Sequence, residues 1–411
     1  MLLIQPAQSR QRSASRIGLA VAGGGPIGGM YELGALRALE RAIIGLRLSD
    51  LDVYVGVSSG AFLAAGLANR MSASDMCRVF LAADGGGDDV RFRPEAFLRP
   101  AFAEYLRRAA GLPQVLLHWW LELFRHPVDV RVSDLVGRLG ELVPTGLFDN
   151  EAIEHFLRET FNQKGRSNDF RELGRKLFVI AVELDSGDTV RFGAENWDDI
   201  PISQAIQASS ALPGLYTPVE VRGRHFVDGA LRRTMHASVA LDQGIDLLIG
   251  INPLVPFDAK GERVGEIPER LAQGGLPAVL SQTVRALLQS RMEVGLAKYA
   301  QRYPDTDQLV VEPNANDAEM FFTNVFSYSS RQRVSEHAYA VTLADLSRRR
   351  EQLAPILARH GLRLDEQVLD HPDASMMDSL ESAPRGATNS TARLRRALDD
   401  LDAHLRGVAS S

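Results

Sequence analysis

The chain has 411 residues, 46 Lys+Arg against 52 Asp+Glu, and a formal net charge of −6. Apolar residues at 45% and charged residues at 24% exclude a fully disordered chain, and the mildly acidic balance leaves no basic footprint for nucleic acid. A single cysteine, Cys77, excludes an internal disulfide and a thiolate zinc site and reads as a packing residue.

Residues 1–15 read as a flexible polar tail without the apolar core of a signal peptide. Residues 17–22 (IGLAVA) form a continuous apolar run, the pattern of a strand buried in a parallel sheet. Glycines 23–25, 28 and 29 follow, and then a helix over 30–44 with Leu33, Leu36, Leu39, Ile43 and Ile44 on one side. A second strand over 52–55 runs through Gly56-Val57-Ser58-Ser59-Gly60 into a helix beginning at Ala61. Two strand–turn–helix units in succession predict an α/β fold with a parallel sheet.

Residues 98–124 read as helical hairpin material. The apolar stretch 112–124, with Trp119 and Trp120, is shorter than the ~20 residues that span a bilayer; it suits a core helix, a lid or an interfacial helix. A turn over 144–148 precedes a helix over 151–161 capped by Asp149. Strands follow over 177–184 and 189–192, then a helix over 202–210. A hairpin over 218–227 leads to Asp228-Gly229-Ala230, and residues 246–251 form a further strand. Residues 256–277 read as a loop; 276–301 and 330–362 are helical around a strand over 308–312. Residues 371–390 read as a disordered linker, and 392–405 as a terminal amphipathic helix of mixed charge.

Three stretches carry chemistry. Gly56-Val57-Ser58-Ser59-Gly60 is a G-x-S-x-G turn in the strand–turn–helix context that projects the central serine beside the N–H groups of a helix start. Read blandly, it is a Gly/Ser-rich turn without chemistry. Gly23-Gly24-Gly25-Pro26-Ile27-Gly28 fits a dinucleotide-binding loop in its glycine spacing. A dinucleotide site wants an acid closing the second strand, however, and the serine turn occupies that place. The glycine run is better suited to offering bare N–H groups to an oxyanion. Asp228-Gly229-Ala230 is either an ordinary Asp-Gly turn or a carboxylate placed to take the proton of Ser58. His225 is the nearest histidine in sequence, but a separation of three along a strand puts it on the opposite face from Asp228.

These features in this order resemble the patatin-like phospholipase family. Residues 145–149 (TGLFD) and 207–214 (QASSALPG) are also similar to stretches of that family, and the resemblance covers roughly residues 16–255. It implies a three-layer α/β/α fold with a mainly parallel central sheet. Residues 256–370, which the resemblance does not cover, read as a mostly helical extension packed on that domain. The resemblance further implies a Ser–Asp dyad without histidine, with Ser58 as nucleophile, Asp228 as general base, and an oxyanion hole at Gly24, Gly25 and Ser59. Gly23, Gly28, Gly56, Gly60, Gly229 and Ala230 complete the motifs. No metal and no cofactor are expected. The implied activity is lipid acyl ester hydrolysis at a cytoplasmic or inner-membrane-face location. The same acyl-enzyme would serve an acyltransferase, and a non-catalytic lipid or nucleotide sensor on this fold is the reading from another class. Many members carry Arg or Lys before the last glycine of the oxyanion loop; here Ile27 stands there, which favours a neutral acyl ester over a phospholipid head group. Arg232 and Arg233 either supply that missing charge or face solvent.

Overall fold

Apolar runs without polar alternation fold stably only if covered on both faces, and the central strands of this protein are. The computed structural model describes residues 1–8, 15–81, 99–102, 105–106, 144–258, 271–317, 319–320, 328–371 and 375–377. The strands are β1 (Leu2–Gln5), β2 (Ile17–Val21), β3 (Ile43–Ile44), β4 (Val53–Val57), β5 (Gly146–Phe148), β6 (Lys176–Glu183) and β7 (Thr189–Phe192). They continue with β8 (Gly214–Tyr216), β9 (Val219–Val221), β10 (Arg224–Asp228), β11 (Leu247–Ile251), β12 (Asp307–Val311) and β13 (Arg363–Leu364). The main helices are α1 (Gly25–Ala42), α2 (Ser59–Ala68), α3 (Ala73–Leu81), α4 (Glu151–Phe161), α5 (Ile202–Ser209), α6 (Gly275–Arg302), α7 (Tyr328–Arg348) and α8 (Arg350–Arg359).

The main sheet runs β1-β12-β11-β2-β4-β6-β10-β9, with β7 also on β6. Strands β12, β11, β2, β4 and β6 are parallel neighbours, while β1, β7, β10 and β9 pair antiparallel. Successive residues of each central strand enter opposite cores. In β2, Leu19 and Val21 face one core while Ala20 and Ala22 face the other. In β4, Tyr54 opposes Val53, Val55 and Val57; in β6, Leu177, Val179 and Ala181 oppose Phe178 and Ile180. One core is closed by α1 to α5 and α7, the other by Met292 and Tyr299 of α6 and by Val239–Leu241. This is the expected three-layer arrangement around a sheet whose centre is parallel.

Four expectations change. Residues 2–5 are not tail but an edge strand: Leu2 is buried, β1 pairs with β12, and the Met1 ammonium lies 3.0 Å from the Asp345 carboxylate. Residues 146–148, read as a turn, form β5, which pairs in parallel with β8 and so satisfies the backbone of both short segments. The boundary at 255/256 is not a break in the main sheet, because β12 lies beside β11; β13 pairs with β3 in a separate two-stranded sheet. Within the stretch read as a disordered linker, Ser375–Met377 is anchored: Ser375 Oγ donates to Glu336 at 2.6 Å, the Met376 N–H donates to it at 2.8 Å, and the Met376 side chain is buried. The 112–124 stretch and the terminal helix over 392–405 lie outside the described residues.

Helix α1 begins at Gly25 rather than Met30, so the glycine-rich stretch includes the first turn of the helix. Its outer side is held against α7, where Ser335 Oγ donates to the Met30 carbonyl at 3.0 Å. A Cβ at Gly34 would sit 2.2 Å from the Ser335 carbonyl oxygen. Gly34→Ala is therefore expected to force α1 and α7 apart and to cost roughly 1–3 kcal/mol in urea denaturation; an unchanged midpoint would contradict this packing.

Candidate active site

The register of β6 determines where the site lies. Val179 pairs with Gly56 of β4 and with Phe192 of β7, and Ala181 pairs with Asp228 of β10 and with Val190 of β7. A strand residue has one partner on each edge, so β4 and β10 share the edge opposite β7. Val57 lies across from Ile180 and Asp228 across from the next residue, Ala181. The C-terminal ends of two strands distant in sequence thus abut end to end. Gly229 makes this possible, since a Cβ there would lie 2.3 Å from the Ile180 carbonyl oxygen and 3.1 Å from Val57.

Ser58 follows β4 directly and caps α2 with φ 51° and ψ −122°, a backbone conformation that costs a non-glycine residue on the order of 1 kcal/mol or more. Neighbouring groups hold it there. Its N–H donates to Ser209 Oγ at 2.9 Å, and Ser209 Oγ donates to the Ile180 carbonyl at 2.6 Å. Gly60 lets α2 start close under β2, because a Cβ there would meet the Ala22 carbonyl oxygen at 2.4 Å. Two residues beyond Ser209, the Ala211 carbonyl accepts the Asp228 N–H at 3.0 Å. The 207–214 stretch therefore fixes both Ser58 and Asp228. Ser209 was not singled out from the sequence, although the stretch containing it was.

Asp228 Oδ1 accepts the Ala230 N–H at 2.8 Å, and that N–H and the neighbouring Ser58 side chain both favour the charged form of the carboxyl. Burial dominates over both effects and pushes the Asp228 carboxyl up to about 6. His236 lies next to the site, its Nε2 at 3.2 Å from the Gly229 carbonyl oxygen. Burial pushes that imidazole down to about 4, so it is neutral near pH 7 and is bonded to backbone. His225 is exposed on β10, apart from the buried Asp228.

The expectation for Gly24 is corrected. Its N–H is not free for an oxyanion, because it donates to Ser59 Oγ at 2.9 Å. Gly25 (φ +61°) and Ser59 open α1 and α2, where N–H groups have no intrahelical acceptor. Gly23 adjoins both sides of the site: a Cβ there would lie 2.9 Å from the Ser58 Cβ and 3.1 Å from the Ala230 Cβ. Glu32, which sequence reading passed over because it sits within the apolar face of α1, accepts from Ser59 Oγ at 3.3 Å. Ile27 packs partly buried against the core. Arg232 is half exposed and bonds the Gly187 carbonyl and Asp188 (3.7 Å), while Arg233 donates to Ser238 Oγ at 3.3 Å. Among the described residues no cluster of three or more His, Cys, Asp or Glu could hold a metal, and no helix is long and apolar enough to cross a membrane.

A family model described as patatin-like phospholipase matches residues 19–241, more than half of the chain. An uncharacterized NTE family protein of Mycobacterium tuberculosis is 26% identical over 238 residues, covering 57% of this chain and 29% of that protein. The chain thus matches less than a third of that relative's length. Among solved structures, VipD from Legionella pneumophila is similar at a TM-score of 0.34 and 15% identity, over 91% of this chain and 84% of that one. ExoU of the Pseudomonas aeruginosa type III secretion system, in complex with SpcU, is similar at 0.27 and 17%, over 92% and 70%.

Placing Asp228 out of water also affects stability. Its folded-state value near 6 lies above the ordinary 3.8, so folding favours the protonated form. The contribution is complete below pH 3.8 and is lost as the pH rises through 6, a difference of roughly 3 kcal/mol. Asp228→Asn should therefore be more stable than wild type at pH 8, with the gap shrinking by pH 4. An equal gap at both pH values in urea melts would show that carboxylate burial is not its cause.

Proposed function

The chain belongs to the patatin-like phospholipase family, and from that premise we propose that it is a lipid acyl ester hydrolase working through a Ser58–Asp228 dyad. The observation that supports this reading is the meeting of β4 and β10 on one edge of β6, which brings Ser58 beside the buried Asp228 carboxyl.

Ionised Asp228 accepts the Ser58 proton as Oγ forms a bond to the ester carbonyl carbon. The carbonyl electron pair moves onto oxygen, and the N–H groups of Gly25 and Ser59 stabilise that oxyanion at the two helix starts. Collapse breaks the bond to the alcohol, which leaves with the proton held by Asp228. Water then gives its proton to Asp228, attacks the acyl-enzyme, and releases the fatty acid with Ser58 restored. A pKa near 6 suits this work, since the group is mostly ionised at pH 7 yet remains a competent proton acceptor. Ile27 brings no cation to the oxyanion loop, and Arg232 bonds Gly187 and Asp188, so the scissile group is read as an acyl ester bound without a phosphate clamp. Contact with a lipid surface belongs to the same proposal, because the substrate is held there.

Intact-mass labelling with a serine-directed fluorophosphonate should give one adduct on wild type and none on Ser58→Ala, while Asp228→Asn should slow labelling and ester turnover by at least ~10². A folded wild type that takes no adduct with or without detergent micelles would sink the hydrolase reading. Turnover (kcat/KM) should also fall on the acid side, with an apparent pKa near 6 from Asp228. A profile flat from pH 5 to 8 would point to another base.

A further inference from the structure

Glu32 lies near the middle of α1 and is fully buried. Oε1 accepts from Ser59 Oγ at 3.3 Å, and Oε2 is buried without a hydrogen-bond partner among the described residues. Burial holds the carboxyl well above the usual carboxylate range, against the opposing effect of the Ser59 bond. A buried polar atom left unpaired costs about 1–3 kcal/mol, a cost that an apolar side chain of similar shape avoids. Its presence calls for a role other than packing.

That role follows from the single proton of a hydroxyl, which rotates to suit its acceptor. With the Ser59 proton directed at Glu32, a lone pair of Ser59 Oγ is left for the Gly24 N–H at 2.9 Å, which fixes the Gly23–Gly24 peptide. The next peptide is fixed by the Gly24 carbonyl, which accepts from the Gly28 N–H at 3.1 Å along the helix. In a planar trans peptide the N–H points opposite to the C=O. The Gly25 N–H is thereby directed out of the helix start.

We propose that Glu32 is a positioning residue: through the Ser59 hydroxyl it sets the orientation of the Gly24–Gly25 segment, and hence of the Gly25 N–H that receives the oxyanion charge. The role rests on the Ser58 hydrolase reading. Glu32 does not itself touch the substrate.

The test is the second-order rate of fluorophosphonate labelling at Ser58, with urea midpoints measured in parallel. Glu32→Gln keeps an acceptor of the same length and should label within about threefold of wild type. Glu32→Met keeps the volume without the acceptor. It should label about 10–100-fold slower with no loss of midpoint, and on an ester it should lower kcat with KM unchanged. Ser59→Ala should slow labelling to a similar degree, and Glu32→Met/Ser59→Ala should be no slower than Ser59→Ala alone. Wild-type labelling by Glu32→Met, or multiplied losses in the double variant, would overturn the positioning role. If Glu32→Met fails to fold, Glu32→Gln labelling as slowly as Ser59→Ala overturns it, and Glu32→Gln labelling near wild type supports it. Absence of labelling on the wild type itself would overturn the hydrolase reading first, and this role with it.

Discussion

The candidate site of this protein depends on one edge of β6 being shared by two strands. β4 takes the first part of that edge and β10 the last, in opposite directions, with their ends meeting between Ile180 and Ala181. A parallel and an antiparallel partner on one edge bring two chain ends together at a point, and the residues there are Ser58 and Asp228. The surrounding bonds keep the point fixed. Ser209 ties Ser58 to the Ile180 carbonyl of β6 itself, and Ala211 ties Asp228 to the segment that follows α5.

The electrostatics follow from that position. A carboxylate at the centre of a three-layer fold is desolvated, and one hydroxyl and one N–H only partly offset the loss of water. The resulting rise in proton affinity opposes folding near neutral pH and equips the group to accept a proton. The same logic separates Asp228 from His236. Burial drives the carboxyl toward the neutral range and drives the imidazole out of it, leaving the histidine a neutral neighbour bonded to backbone. Glu32 is a third buried titratable group, and its connection to the elbow runs through Ser59 alone among the described side chains.

The ends of the described chain belong to the same sheet and cores. β1 closes the edge at β12, α7 lies along α1, and Ser375–Met377 docks on Glu336 of α7. The glycine-rich loop therefore rests on a helix whose far side is held by residues some 300 positions away, as in the bond from Ser335 to Met30. Gly34 marks how close that contact is.

Local physics made much of this legible in the sequence. Continuous apolar runs gave the buried strands, because a strand covered on both faces has no polar side to show. The 3.6-residue apolar period gave α1, and a turn with an Asp cap gave α4. The two glycines around Ser58 revealed the elbow, because only a residue without a Cβ fits against the backbone there. What the sequence left open was whatever depends on partners far along the chain. A three-residue apolar run such as 2–4 becomes part of a strand only when β12 offers an edge, and residues 146–148 become β5 only beside β8. Asp228 is an ordinary Asp-Gly turn until register sets it against Ala181. Likewise, the Gly24 N–H is a candidate oxyanion donor until Ser59 Oγ, 35 positions on, accepts it. Chain composition and period determine which segments fold and which residues can do chemistry. Hydrogen-bond register and burial, which exist only in the folded chain, decide which of those residues meet and in what state of ionisation.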